Sequence, residues 1–219
     1  MIRSADSRRG GQFAILATGF ALAALILIFF VWLSEDALKH DMLRFDEQVR
    51  AAVHQHARPA LTRLMIVASD VGSTPGLLLQ VLLAAAYFWI RGQRLQAVFI
   101  ALSISGAILL TSVLKIAFHR ARPEPFFGLA TPRSYSFPSG HALESFCVYA
   151  MLAHLLAPNA RTFGRRVAIW TLASLVFLLI GFSRIYLGVH YPTDVIAGYA
   201  AGAVWIATLA VTEKRLVAP

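Results

Sequence analysis

The sequence predicts an all-α, polytopic membrane protein: a single membrane-embedded domain, residues 1–219, with six transmembrane helices. Three observations carry this. Hydrophobic residues make up 58% of the chain and charged residues only 14%, whereas a soluble globule carries about 25% charged residues. The apolar residues gather in six runs, and basic or proline-glycine punctuation separates each run from the next. This much apolar surface excludes a disordered chain, and a lone cysteine, Cys147, excludes a disulfide scaffold. The formal charge of +9 comes from 20 basic residues scattered between the runs. No basic face is outlined, so anionic ligands and membrane topology are expected as its cause, with no nucleic-acid partner.

The first run, 13–33, is 21 residues without a charge, which meets the roughly 20 residues a helix needs to cross the hydrocarbon. It is too long for a signal-peptide core, and Ser34-Glu35-Asp36 offers no small-residue cleavage site, so a retained first helix is expected. Between it and the second run lies an amphipathic segment, 36–57. There Leu38, Met42, Phe45, Val49, Ala52 and Val53 form one apolar stripe, the pattern of a helix lying in the bilayer surface. Pro59 opens a second short amphipathic stretch, with Leu61, Leu64, Met65 and Ala68 on one face. The remaining spans are 74–90, 95–114, 142–157, 167–182 and 195–211. With both termini inside, the inner segments hold 10 Lys/Arg on 33 residues and the outer segments 10 on 78. Basic residues weigh most in short loops, so this orientation is the expected one.

In so apolar a chain the informative residues are the ionisable ones near the bilayer, because each is costly there unless paired or wet. Lys115 and Arg122-Pro123 stand at the end of the third run. Pro138-Ser139-Gly140-His141 precedes the fourth; Ser139 suits an N-cap, and the start of a helix attracts anions through its free amides and dipole. Gly140 would let a bulky anion approach the backbone. Ser183-Arg184, His190, Pro192 and Asp194 precede the sixth. Pro192 suits the first helical position, and from the first turn Asp194 can reach back to His190. A histidine oriented by a carboxylate is a directed nucleophile or base. The first two clusters share a loop and the third follows two crossings later, so all three belong to one membrane face. Three cations, a helix N-terminus and two histidines there describe an oxyanion site.

The ordered pattern Lys-x6-Arg-Pro, Pro-Ser-Gly-His and Ser-Arg-x5-His-x3-Asp, over roughly residues 70–212, resembles the signature of the type 2 phosphatidic acid phosphatase superfamily. The resemblance implies a helical bundle and a metal-independent phosphatase with no cofactor, acting on a lipid phosphate at the face of a bacterial-type cytoplasmic membrane that looks outward. By that likeness His190 attacks phosphorus to form a phosphohistidine, Asp194 holds its ring, and His141 protonates the leaving group. Lys115, Arg122, Ser139, the Gly140 amide and Arg184 would cradle the phosphoryl oxygens. Undecaprenyl diphosphate is the first expected substrate, ahead of phosphatidylglycerophosphate, phosphatidic acid and lipid A phosphate. The alternatives are a lipid phosphotransferase using the same phosphohistidine, an anion or lipid transporter, and the related vanadium haloperoxidases, which are soluble.

Other residues read more plainly. Glu144 sits one turn past His141, where it could line the substrate path or tune that histidine, but an acid in a first turn is favourable in any case. His154 reads as a packing residue, and His119, Arg120 and Arg133 as interfacial groups meeting headgroups. Cys147 reads as a small buried hydrophobe and the Gly198–Gly202 pair as a close helix contact. Trp32, Trp89 and Trp205 read as interface anchors.

Overall fold

The structure, a computed structural model, describes residues 40–217, and among these every regular element is helical. In chain order they are α1 (His40–Gln55), α2 (Pro59–Val71), α3 (Thr74–Ile90), α4 (Arg94–Phe118), α5 (Gly140–Leu156), a 3₁₀ turn (Ala157–Asn159), α6 (Phe163–Tyr186) and α7 (Pro192–Val217). The first apolar run and Trp32 lie outside the described residues.

Local signals account for the boundaries. Pro59 and Pro192 begin α2 and α7, where the missing amide has no intrahelical partner to lose. The Ser73 hydroxyl accepts from Gly76 N at 3.2 Å to cap α3, and Thr162 does the same for α6 from Arg165 N at 3.3 Å. Helix α4 ends where His119 turns left-handed, at φ 48°. Among the described residues three helices are long and apolar enough to cross a membrane: α4 and α6, with 25 and 24 residues, and 25 residues of α7. Helices α2 and α3 pass the same test only as a pair, bent by 58° at Gly72-Ser73.

Helix α5 is the centre of the bundle and packs against α3, α4, α6 and α7. Its Leu143, Val148 and Met151 meet Leu77 and Phe88 of α3, Ile100 and Ile104 of α4, and Ile206 of α7 in one core. Leu79, Leu82, Leu83, Leu109, Leu172 and Leu175 are left on the outside. An apolar exterior of this kind suits lipid, where close packing rather than burial from water draws helices together. Glycines supply that closeness. A Cβ on Gly198 would come within 2.8 Å of Ser139 O, and one on Gly202 within 3.3 Å of Cys147 Sγ. The Gly198–Gly202 pair therefore seats α7 on α5, and Cys147 is fully buried there.

Several expected side-chain placements change. Helix α1 turns Met42, Asp46, Val49, Arg50 and Val53 inward and leaves Phe45 and Ala52 outside, because two charged residues with partners in the bundle displace part of the apolar stripe. On α2, Met65, Ala68 and Ser69 are buried and Leu64 is half exposed. Trp205 packs over Gly106, and its indole donates to Leu102 O at 3.3 Å. Trp89 is exposed at the end of α3 with Arg94 over its ring, as an anchor would be. His154 finds Glu213 on α7 at 3.4 Å.

Candidate active site

The C-terminal end of α4, the loop after it, the starts of α5 and α7 and the end of α6 meet at one end of the bundle. The Ser139 amide donates to Asp194 O at 2.9 Å, which locks the start of α5 to the first turn of α7. His190 lies just before α7 and is 2% exposed. Its Nδ1 is 3.3 Å from Asp194 Oδ2, and its Nε2 is 3.0 Å from Arg122 Nη1. A guanidinium can only donate. Nε2 must therefore accept, so it carries a lone pair, and Nδ1 carries the proton and faces the carboxylate. Burial holds the His190 pKa far below its usual 6.5, at about 3, against the pull of Asp194. The ring is neutral above that value.

Around Nε2 the cations converge. Arg122 is fixed by three further bonds: Nε to Ser134 O at 2.7 Å, Nη1 to Val189 O at 2.8 Å and Nη2 to Ser134 Oγ at 3.0 Å. Lys115 Nζ donates to the same Ser134 hydroxyl at 3.0 Å. Arg184 reaches from α6 to Ser69 Oγ on α2, and its buried Nε has no protein partner. The charges of Arg184, Lys115 and Arg122 all act on His141, and those of Arg122 and Arg184 on His190, so the two histidines share one electrostatic environment.

Ser139 occupies the N-cap position of α5, but the expected cap is absent. Its hydroxyl accepts no amide of the first turn and is buried without a partner. A buried hydroxyl without a partner is unfavourable, and this one stands beside the free amides of a helix start. A Cβ on Gly140 would lie 3.2 Å from Thr111 Cγ2 and 3.3 Å from Glu144 Oε1, so glycine also relieves packing at that point. Glu144 is buried and accepts from Thr74 Oγ1 at 2.7 Å.

Four residues of this end carry no role in the sequence reading. Ser134 links Lys115 to Arg122. Ser136, fully buried, donates to Asp194 Oδ2 at 2.5 Å. Its signal was weak: one serine beside the Pro-Ser-Gly-His turn. Thr193 and Asp46 complete a buried group around Arg120, and Arg120 itself overturns the expectation of a headgroup contact. It is 5% exposed and donates to Asp194 Oδ1 at 2.6 Å and Asp46 Oδ2 at 2.8 Å. Burial works against its charge, but Asp194 and Asp46 prevail and raise its pKa. His119, by contrast, is exposed beside Tyr135, and Arg133 is exposed. Among the described residues no three His, Cys, Asp or Glu side chains are grouped to hold a metal.

Known proteins share this arrangement of chain. Phosphatidylglycerophosphatase B of Bacillus subtilis is 31% identical over 179 residues, covering 81% of this chain and 87% of that protein. A lipid A 1-phosphatase of Rhizobium etli is 33% identical, covering 82% and 81%, and an undecaprenyl-diphosphatase of Sulfolobus acidocaldarius is 33% identical, covering 57% and 63%. The crystal structure of a transmembrane PAP2 type phosphatidylglycerolphosphate phosphatase from Bacillus subtilis superposes with a TM-score of 0.82 at 27% identity, over 90% of this chain and 98% of that one. The sequence model of the PAP2 superfamily matches residues 96–217, which contain all three motifs, and the chain belongs to that family of membrane lipid phosphatases.

Proposed function

We propose that this protein hydrolyses the headgroup phosphate or diphosphate of a membrane lipid through a phosphohistidine on His190. The observation that carries the reading is the pairing at His190: Nδ1 held toward Asp194, and Nε2 carrying a lone pair toward the guanidinium of Arg122. A phosphoryl group drawn to Arg122 would meet that lone pair. His190 Nε2 attacks phosphorus, the bond to the lipid oxygen or bridging phosphate breaks, and His141 gives that oxygen its proton. His141, now a base, takes a proton from water. The hydroxide displaces His190 from phosphorus, and inorganic phosphate leaves.

Phosphoryl transfer asks for positioning and for positive charge around the equatorial oxygens, commonly from metal ions. Here Lys115, Arg122, Arg184, the Ser139 hydroxyl and the Gly140 amide would supply it from the protein. Hydrogen bonds to charged groups contribute about 1.5–3 kcal/mol each. The site is read as facing outward from a bacterial-type cytoplasmic membrane, with six spans and both termini inside. The orientation rests on the density of basic residues in the short loops.

Undecaprenyl diphosphate stands first among candidate substrates. Phosphatidylglycerophosphate and lipid A phosphate stand beside it, because the relatives named for them cover about four-fifths of the chain. The test is phosphate release by purified protein from these lipids and phosphatidic acid, with and without EDTA. Release from at least one lipid, unchanged by EDTA, is expected. No release from any of them, or phosphate passed mainly to a second lipid, contradicts the reading.

The pH dependence follows from His190. A base with a lowered pKa stays neutral and nucleophilic until the pH falls close to that pKa, here about 3. Once corrected for ionisation of the substrate, kcat/KM should therefore show no loss from this group between pH 7 and about 5. A loss of activity toward acid pH centred near 6.5, remaining after that correction, would contradict the assignment.

A further inference from the structure

Helix α1 carries charge where a surface helix should be apolar. Asp46 stands in line with Met42, Val49 and Val53 on the inward face and has no exposed surface. A carboxylate taken out of water is strongly unfavourable unless it is both paired and hydrogen-bonded. Asp46 is both. Its Oδ1 accepts the Thr193 amide at 3.0 Å; its Oδ2 accepts the Thr193 hydroxyl at 2.6 Å and Arg120 Nη2 at 2.8 Å.

Arg120 reaches Asp194 by two routes. Its Nη1 donates to Oδ1 at 2.6 Å. Its carbonyl accepts the Ser136 amide at 2.9 Å, and the Ser136 hydroxyl donates to Oδ2 at 2.5 Å. The guanidinium also lies 4.3 Å from the centre of the Tyr191 ring, which limits its swing. A buried anion on α1 is thus joined to the carboxylate beside His190 through one cation.

We infer that Asp46 and Arg120 are positioning residues, through which helix α1 holds the His190–Asp194 pair in register for attack. The inference rests on the reading of His190 as nucleophile. Arg120 facing Asp194 alone would draw the carboxylate's charge to itself and loosen its hold on the imidazole N–H. Asp46 supplies a second anion, so the guanidinium is shared and Asp194 keeps charge for His190. Geometry matters as much as charge, because a planar fork can bridge two carboxylates in set directions and an ammonium cannot.

Anchoring α1 requires none of this. Arg50 already ties the helix to the same loops, donating to Glu124 O at 2.7 Å and Gly188 O at 3.1 Å. Asp46→Asn should therefore leave α1 docked.

The test compares Asp46→Asn, Arg120→Lys, the double variant and His190→Ala in the full-length protein, measuring kcat and KM for a lipid phosphate and inhibition by vanadate. Each of the first two should lower kcat by on the order of 10–100-fold, as misplacement of a reacting group does. KM and vanadate inhibition should stay within about twofold, because the phosphate-binding cations are untouched. The double variant should be no worse than Arg120→Lys alone, since Asp46 acts through Arg120. Wild-type kcat in either single variant overturns the inference. So does a multiplied loss in the double variant, or loss of vanadate inhibition together with kcat. Turnover surviving in His190→Ala instead overturns the nucleophile reading itself.

Discussion

Replacing His190 by alanine is expected to reduce phosphate release by on the order of 10⁴-fold or more, the scale seen when a covalent nucleophile is removed. The loss should be chemical, not structural. Without the imidazole, Asp194 still accepts from Arg120, from Ser136 and from the Tyr191 amide at 2.9 Å, so its buried charge remains satisfied. Lys115, Arg122 and Arg184 stay in place to bind the phosphate. The variant should therefore melt near the wild type and still be protected by vanadate, while initial rates of phosphate release fall to background. A variant that folds and retains full turnover contradicts the role given to His190.

The second large effect is at His141, where alanine should cost about 10²–10⁴-fold, the usual range for a positioned acid or base. The size of the loss should depend on the leaving group. A lipid alkoxide leaves poorly and needs a proton, whereas a nitrophenolate leaves without one. His141→Ala should therefore be far less damaging with p-nitrophenyl phosphate than with a lipid monoester. Equal losses on both substrates would mean that His141 shapes the pocket and does not deliver the proton.

The sequence motifs account for the convergence at the site because they sit at helix ends, where local rules are strong. Pro192 starts α7, and this alone places Asp194 one turn from His190. Positions that depend on distant partners are another matter. Arg120 is two residues from Arg122 in a loop rich in interfacial residues, and nothing local distinguishes it from a snorkelling side chain. Its burial comes from Asp46, 74 residues away, and from Asp194, 74 residues the other way. The inward face of α1 is not legible in the sequence for the same reason: Asp46 interrupts an apolar stripe, and the ion pair that turns it inward lies across the fold. Ser139 suited a cap by residue type, yet its hydroxyl stays unpaired while its amide bonds Asp194 O.

The most direct measurement is to trap the covalent enzyme. Lipid substrate labelled in its terminal phosphate is mixed with the protein and quenched in alkali within the first turnover. The label should stay on the protein, resist alkali, be released by acid and map to His190. It should be absent from the His190→Ala variant. Label on another residue, or hydrolysis at the normal rate with no labelled protein at any time in the first turnover, would contradict attack by His190.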